Sequence, residues 1–166
     1  MKINFQALKS IYFHEMDRFR RTLTQSLLSP VLTTSLYFIV FGSVIGGYVE
    51  KIDGISYGSY IVPGLLMLTL LTQSISNTSF GIFFPKFNGT IYEILAAPIS
   101  TFEVVLAFVG AGATKTLIVS IVIFITSLFF VDVQVKYPLL MIFLLILVAF
   151  TFALFGFLIG LMSSNF

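Results

Sequence analysis

The sequence predicts an all-α integral membrane protein, and three observations carry that reading. Hydrophobic residues make up 58% of the 166 residues and charged ones only 10%, with a mean hydropathy of +1.06. A soluble domain of this size carries ~25% charged residues to cover its surface. Four apolar runs are each long enough to cross hydrocarbon, which takes ~20 residues in a helix. A helix satisfies its own backbone in lipid, so apolar runs of this length read as helices. The net charge of +2 is too small to suggest a nucleic-acid partner. No cysteine and a single histidine leave nothing for a disulfide, a thiolate metal site or a histidine cluster.

Residues 1–25 hold five of the nine basic residues: Lys2, Lys9, Arg18, Arg20 and Arg21. Phe5, Leu8, Tyr12, Met16, Phe19 and Leu23 recur at steps of three and four, so a helix gathers them into one narrow stripe. The charged residues lie mostly off that stripe. The segment is expected to be an amphipathic helix with a basic face, suited to the headgroup plane. It reads as an anchor that sets orientation, or as an interface helix that also touches a cytoplasmic partner through Arg18, Arg20 and Arg21. The charged region is too long for a cleavable signal peptide, and no small-residue cleavage site follows. His14 is expected at the surface of this helix.

The first span is expected over Leu27–Val49, with Pro30 in its first turn, where a missing N–H costs nothing. Gly42 and Gly46 form a G-x-x-x-G face for close packing. A short polar loop, Glu50–Tyr57, follows. The second span is expected from about Tyr60 to Phe84. Its middle is rich in hydroxyls and amides, and Thr69, Thr72, Gln73, Ser76, Asn77 and Ser79 share one broad face. An amide facing lipid is costly, so this face must look at another helix or at water. Thr69, Gln73, Ser76 and Asn77 therefore mark either interhelical hydrogen bonding or the lining of a substrate path. Ser74 and Thr78 fall off that face and are expected to bond back to carbonyls one turn earlier.

Residues 88–100, NGTIYEILAAPIS, form a short island between apolar runs. Thr90 and Glu93 have the spacing of a capping box. A helix over Ile91–Ala97 is predicted, ended by Pro98, because the residue before a proline is pushed out of the α region. Ser100 and Glu103 repeat the capping spacing and start a second helix. The island reads as a plain surface loop or as a docking helix for a soluble partner, and the residues alone favour the plainer reading.

The third span is expected over about Val104–Phe130, with a small-residue start at Ala107, Gly110, Ala111, Gly112 and Ala113. Lys115 lies inside it and is expected to snorkel to the headgroups. Asp132–Lys136 is a second short loop. The fourth span is expected over Pro138–Met162, with Ala149, Ala153, Gly156 and Gly160 on one packing face. With Lys115 set aside, an N-terminus inside places six basic residues inside and two, Lys51 and Lys136, outside. That asymmetry predicts both termini in the cytoplasm, and the island with them.

In this order the elements resemble the membrane subunit of ABC transporters of the type-2 exporter class. The resemblance rests on SPVLTTSLYFIVFGSVIGG in the first span, YIVPGLLMLTLLTQSISNTSF in the second, and the island FFPKFNGTIYEILAAPIS. The island is its most specific part: a basic residue, Gly-Thr, an acidic residue, paired aliphatics and a proline, filled here by Lys86, Gly89, Thr90, Glu93, Leu95 and Pro98. Many relatives carry an arginine close to the Gly-Thr where Lys86 stands. The resemblance implies a single permease domain over residues 1–166, in a bacterial inner membrane. It also implies a partner: a cytoplasmic ATP-binding subunit that carries ATP and Mg, leaving no cofactor on this chain. No G-x-x-x-x-G-K-[ST] motif occurs in the sequence. A second permease half, in a homodimer, and membrane lipid complete the implied surroundings. Lys86, Gly89, Thr90, Tyr92, Glu93, Leu95 and Pro98 would form the coupling helix that meets the ATPase, and the N-terminal helix would be the interface helix. Members of the class usually have six spans, so a chain with four is expected to be C-terminally truncated.

Two rivals come from other classes. A membrane-embedded enzyme needs paired carboxylates, a histidine cluster or an activated nucleophile, whereas Glu93, Glu103 and Asp132 are scattered and His14 stands alone. A structural or assembly membrane protein without a transport role has the same composition. A neighbouring gene for an ATP-binding subunit would separate it from the exporter.

Overall fold

The structure is a computed structural model that describes residues 4–41, 51, 52, 54–133 and 135–163. Among the described residues six helices follow in order: α1 (Phe5–Arg21), α2 (Leu23–Val40), α3 (Tyr57–Phe87), α4 (Ile91–Ala96), α5 (Thr101–Leu128) and α6 (Pro138–Met162). The helices α2, α3, α5 and α6 are long and apolar enough to cross a membrane. At 1.5 Å per residue the 31 residues of α3 extend about 46 Å, longer than the ~30 Å hydrocarbon core. Between α2 and α3 the loop is not plain: Lys51–Ile52 (β1) and Ile55–Ser56 (β2) pair as a minimal antiparallel ribbon, with Gly54 at φ +82° in its turn.

The first span starts earlier than expected. The break at Thr22 is one residue wide, because its N–H bonds back to Arg18 and Phe19 while its carbonyl already accepts from Ser26. Pro30 is therefore the eighth residue of α2, buried in mid-helix, and not in the first turn. Gly42 and Gly46 lie outside the described residues.

The bundle closes on small residues. A Cβ at Gly156 would stand 2.5 Å from the carbonyl oxygen of Ile75, and one at Gly160 would stand 2.7 Å from that of Ser79. With Ala149 and Ala153, both fully buried, they form the face of α6 that lies directly on α3, as their spacing predicts. On the other side of α3, Thr78 packs into the gap left by Gly112 of α5. Leu70, Ile82, Val104, Phe108, Ala113, Ala149 and Phe157 form one core cluster. Phe19, Phe38, Val62, Leu66, Val119 and Ile123 form a second, between α1, α2, α3 and α5.

Both ends of the bundle can be assigned by contact. At one end Ser59 donates to the Asp132 carbonyl, joining the start of α3 to the α5–α6 loop. At the other end lie α4, the start of α5 and the end of α6. There Lys86 Nζ donates to the carbonyls of Leu161 (2.8 Å) and Ser163 (2.6 Å). Those are C-terminal helix carbonyls without intrahelical partners, which a cation suits.

Candidate functional site

The island is the first part of the site. Asn88 caps the end of α3, and Gly89 turns the chain with φ +77°, a left-handed conformation that glycine takes without strain. α4 then runs over Ile91–Ala96, one residue shorter than expected. Ala97 is extended (φ −72°, ψ 150°), as a residue before proline should be. The Ile99 N–H then closes a tight turn over Pro98 by donating to the Ala97 carbonyl at 2.7 Å.

The two expected capping boxes have different fates. The second forms in full: Ser100 Oγ accepts from the Glu103 N–H at 3.3 Å, and Glu103 Oε2 accepts from the Ser100 N–H at 2.9 Å. The first does not form. Thr90 is already in the α region (φ −67°, ψ −13°), where its hydroxyl is not aimed at its own helix start. The hydroxyl donates instead to the Pro85 carbonyl, one of the orphans at the end of α3. Glu93 is exposed.

α4 has two unlike faces. Ile91 and Ile94, with Ile99 after the corner, pack against the main core cluster. Tyr92 is 73% exposed and Leu95 67% exposed. A short helix thus has its back held by the spans and offers an aromatic and an aliphatic side chain outward, flanked by Phe87 and Phe102, also exposed. Of the seven island residues named from sequence, Gly89, Thr90, Tyr92, Glu93, Leu95 and Pro98 lie along this corner. Lys86 instead serves the end of α6.

α1 is the second part, and it does not stand apart from the bundle. It lies lengthwise along α5, joined at three levels. The Asn4 N–H donates to Glu103 Oε1 at 2.6 Å, Tyr12 Oη to Thr114 Oγ1 at 3.0 Å, and Lys115 Nζ to Glu15 Oε2 at 2.7 Å. Lys115 is therefore buried in an ion pair, 4% exposed, and does not snorkel. The same Glu15 oxygen accepts from Arg18 at 3.0 Å, and Arg18 stacks over the Phe84 ring of α3. Gly81 of α3 leaves room for the carboxylate: a Cβ there would stand 3.4 Å from Glu15 Oε2. Arg20 and Arg21 are exposed, as is His14. The apolar stripe keeps Leu8, Tyr12, Met16 and Phe19 facing inward and gains Ile11, while Phe5 is exposed and Leu23 begins α2. Glu15 sits one turn after Ile11 and one before Phe19. An acid on an apolar stripe, with a lone lysine in a span, is the signal that could have found this pair.

The polar face of α3 is the third part. Asn77 Nδ2 donates to Gln73 Oε1 and to Thr116 Oγ1 of α5, each at 3.4 Å. Thr69 bonds back to the Leu65 carbonyl, and Ser76 is exposed. The structure thus gathers Gln73, Asn77 and Thr116, and leaves Thr69 and Ser76 out. Ser74 and Thr78 are the fully buried polar residues of α3, and neither bonds back to a carbonyl. At the ribbon end a cleft of about 1020 Å³ opens, lined by Tyr60, Met67, Phe124, Lys136, Tyr137 and Met141 among others. None of the four polar-face residues lines it.

Comparison with known proteins fits this arrangement. The chain is 39% identical, over all 166 residues, to proteins described as inner membrane transport permease YadH in Escherichia coli K12, in Escherichia coli O157:H7 and in Shigella flexneri. It covers 65% of the length of each. No solved structure matches the chain. Residues 6–166 match the family described as ABC-2 type transporter, and with four apolar helices around a short α4 corner the chain belongs to that family.

Proposed function

We propose that this chain is the membrane-spanning permease part of an ATP-driven exporter in a bacterial inner membrane. Its substrate is a lipid-linked saccharide, a drug or another amphipathic molecule. The N-terminus and the α4 corner face the cytoplasm, where an ATP-binding subunit supplies ATP and Mg, and a second copy of the chain completes the pathway. The observation that carries the reading is α4, whose Ile91 and Ile94 are anchored while Tyr92 and Leu95 are left outward. Exposed apolar side chains on a held helix are what a groove on a soluble partner would take. Membership in the family supports an ATP-binding partner, and the relatives' description as inner membrane transport permeases supports transport at that membrane.

In this mechanism ATP closure moves the partner's groove. The groove carries α4, and α4 tilts α3 and α5, to which it is joined directly. Asn77, Gln73 and Thr116 would keep the α3–α5 contact polar but closed until that tilt. The test is a Tyr92→Ala, Leu95→Ala variant of the full-length protein, purified with its ATP-binding subunit. Loss of co-purification and of substrate-stimulated ATP turnover, with normal membrane insertion, is expected. Retention of both would refute the docking role.

A further inference from the structure

We propose that Glu15 and Lys115 are positioning residues that clamp α1 to α5, so that α1 moves with the α4 corner as one body. The inference rests on the coupling reading above. Three contacts lie in register along the α1–α5 seam: Asn4 with Glu103, Tyr12 with Thr114, and Glu15 with Lys115. The first joins the start of α1 to the corner itself. Glu103 spends one carboxylate oxygen on the Ser100 N–H, which begins α5 after the island, and the other on the Asn4 N–H. The last is ionic and closed off from solvent, with both side chains at or below 5% exposure.

A buried pair of this kind resists sliding. Moving α1 by one turn would carry Glu15 away from Lys115 and leave an unpaired charge in an apolar surrounding. Arg18 strengthens the fix, because it holds the same carboxylate oxygen and rests on Phe84 of α3. The seam therefore has one favourable register. A push on α4 reaches α5 through Pro98 and Ser100, and reaches α1 through Glu103 and Lys115.

The test is a distance measurement that does not depend on transport. The 166-residue sequence has no cysteine, so, with any cysteine elsewhere in the full-length protein replaced, spin labels at His14→Cys and Phe102→Cys, both exposed, report on α1 against the start of α5. The full-length protein with its ATP-binding subunit, with labelled copies diluted into unlabelled ones so that only the within-copy distance is read, should give one narrow distance, unchanged between nucleotide-free and ATP-trapped states. The Glu15→Gln, Lys115→Met double variant removes both buried charges and leaves only Arg18, whose side chain is 36% exposed and reaches solvent, without its carboxylate, so it should insert and assemble normally. It should lose the single narrow distance, and transport per ATP hydrolysed should fall. A narrow distance retained in the double variant would overturn the clamp, even if protein yield falls. A distance that changes with nucleotide in the parent would overturn it as well. If the distance broadens as expected but island variants transport normally, the clamp stands and the coupling reading fails.

Discussion

The α1–α5 seam and the α4 corner lie side by side and are built on opposite plans. The seam is dry and ionic, with Glu15, Lys115 and Glu103 each at or below 4% exposure. The corner is short and open, held by Ile91 and Ile94 from behind and uncapped by Thr90. The contrast is sharpest in the two S/T-x-x-E spacings. Ser100 follows a proline corner and is extended (φ −77°, ψ 148°), so its side chain faces the first turn of α5. Thr90 follows a left-handed glycine that comes directly after the Asn88 cap of α3, so it is already helical and its hydroxyl turns back to α3. Equal spacing gives a capping box only where the preceding backbone delivers an extended residue. The seam spends its polar groups on fixing position, and the corner leaves its side chains outward.

The largest expected effect lies in the seam. Glu15→Ala leaves Lys115 buried without its carboxylate and should cost about 3–5 kcal/mol, measured as a lower unfolding midpoint in detergent. Lys115→Ala should cost less, since Glu15 keeps Arg18. Equal midpoints for Glu15→Ala and the parent would remove the difference between the two regions.

Next comes the backbone of the corner. Gly89→Val forces a β-branched residue to φ +77° and should cost about 1–2 kcal/mol. Because Gly89 has open space around it, the cost is conformational and not steric. Gly89→Asn, which tolerates that region better, should recover most of the loss in the same unfolding measurement. If Asn is no better than Val, the left-handed turn is not what the glycine supplies.

The smallest effects separate the two caps. Ser100→Ala should cost about 1 kcal/mol, and Thr90→Ala a few tenths, since only the first removes a helix cap. A larger loss for Thr90→Ala would mean that its bond to the Pro85 carbonyl holds the corner more firmly than a cap would.

Much of the fold was legible because the bilayer imposes it. α6 has the bounds that its apolar run predicts, and Ala149, Ala153, Gly156 and Gly160 meet α3 as their four-residue rhythm requires. The α4 helix was predicted from the Thr90 and Glu93 spacing and from Pro98; it forms and stops before Pro98, although the capping box itself does not form. What could not be read depends on distant partners. The fate of Lys115 was set by Glu15, 100 residues away, and no local pattern reports that separation. Ser74 and Thr78 were placed off the polar face by helix geometry, but it took the position of Gly112 to show that the α3–α5 contact runs through Thr78. The start of α2 was misplaced because Thr22 breaks the helix for only one residue, too briefly for an apolar run to reveal.

The docking role of α4 is tested most directly by hydrogen exchange along residues 84–115 of the full-length protein, with and without the proposed ATP-binding subunit. Slower exchange is expected over residues 88–99 when the subunit binds, because α4 is open and becomes covered. No change is expected over residues 104–115, whose amides are already within α5 and packed against α1. Unchanged exchange over residues 88–99 in a complex shown to be assembled would contradict the claim that α4 is the docking helix.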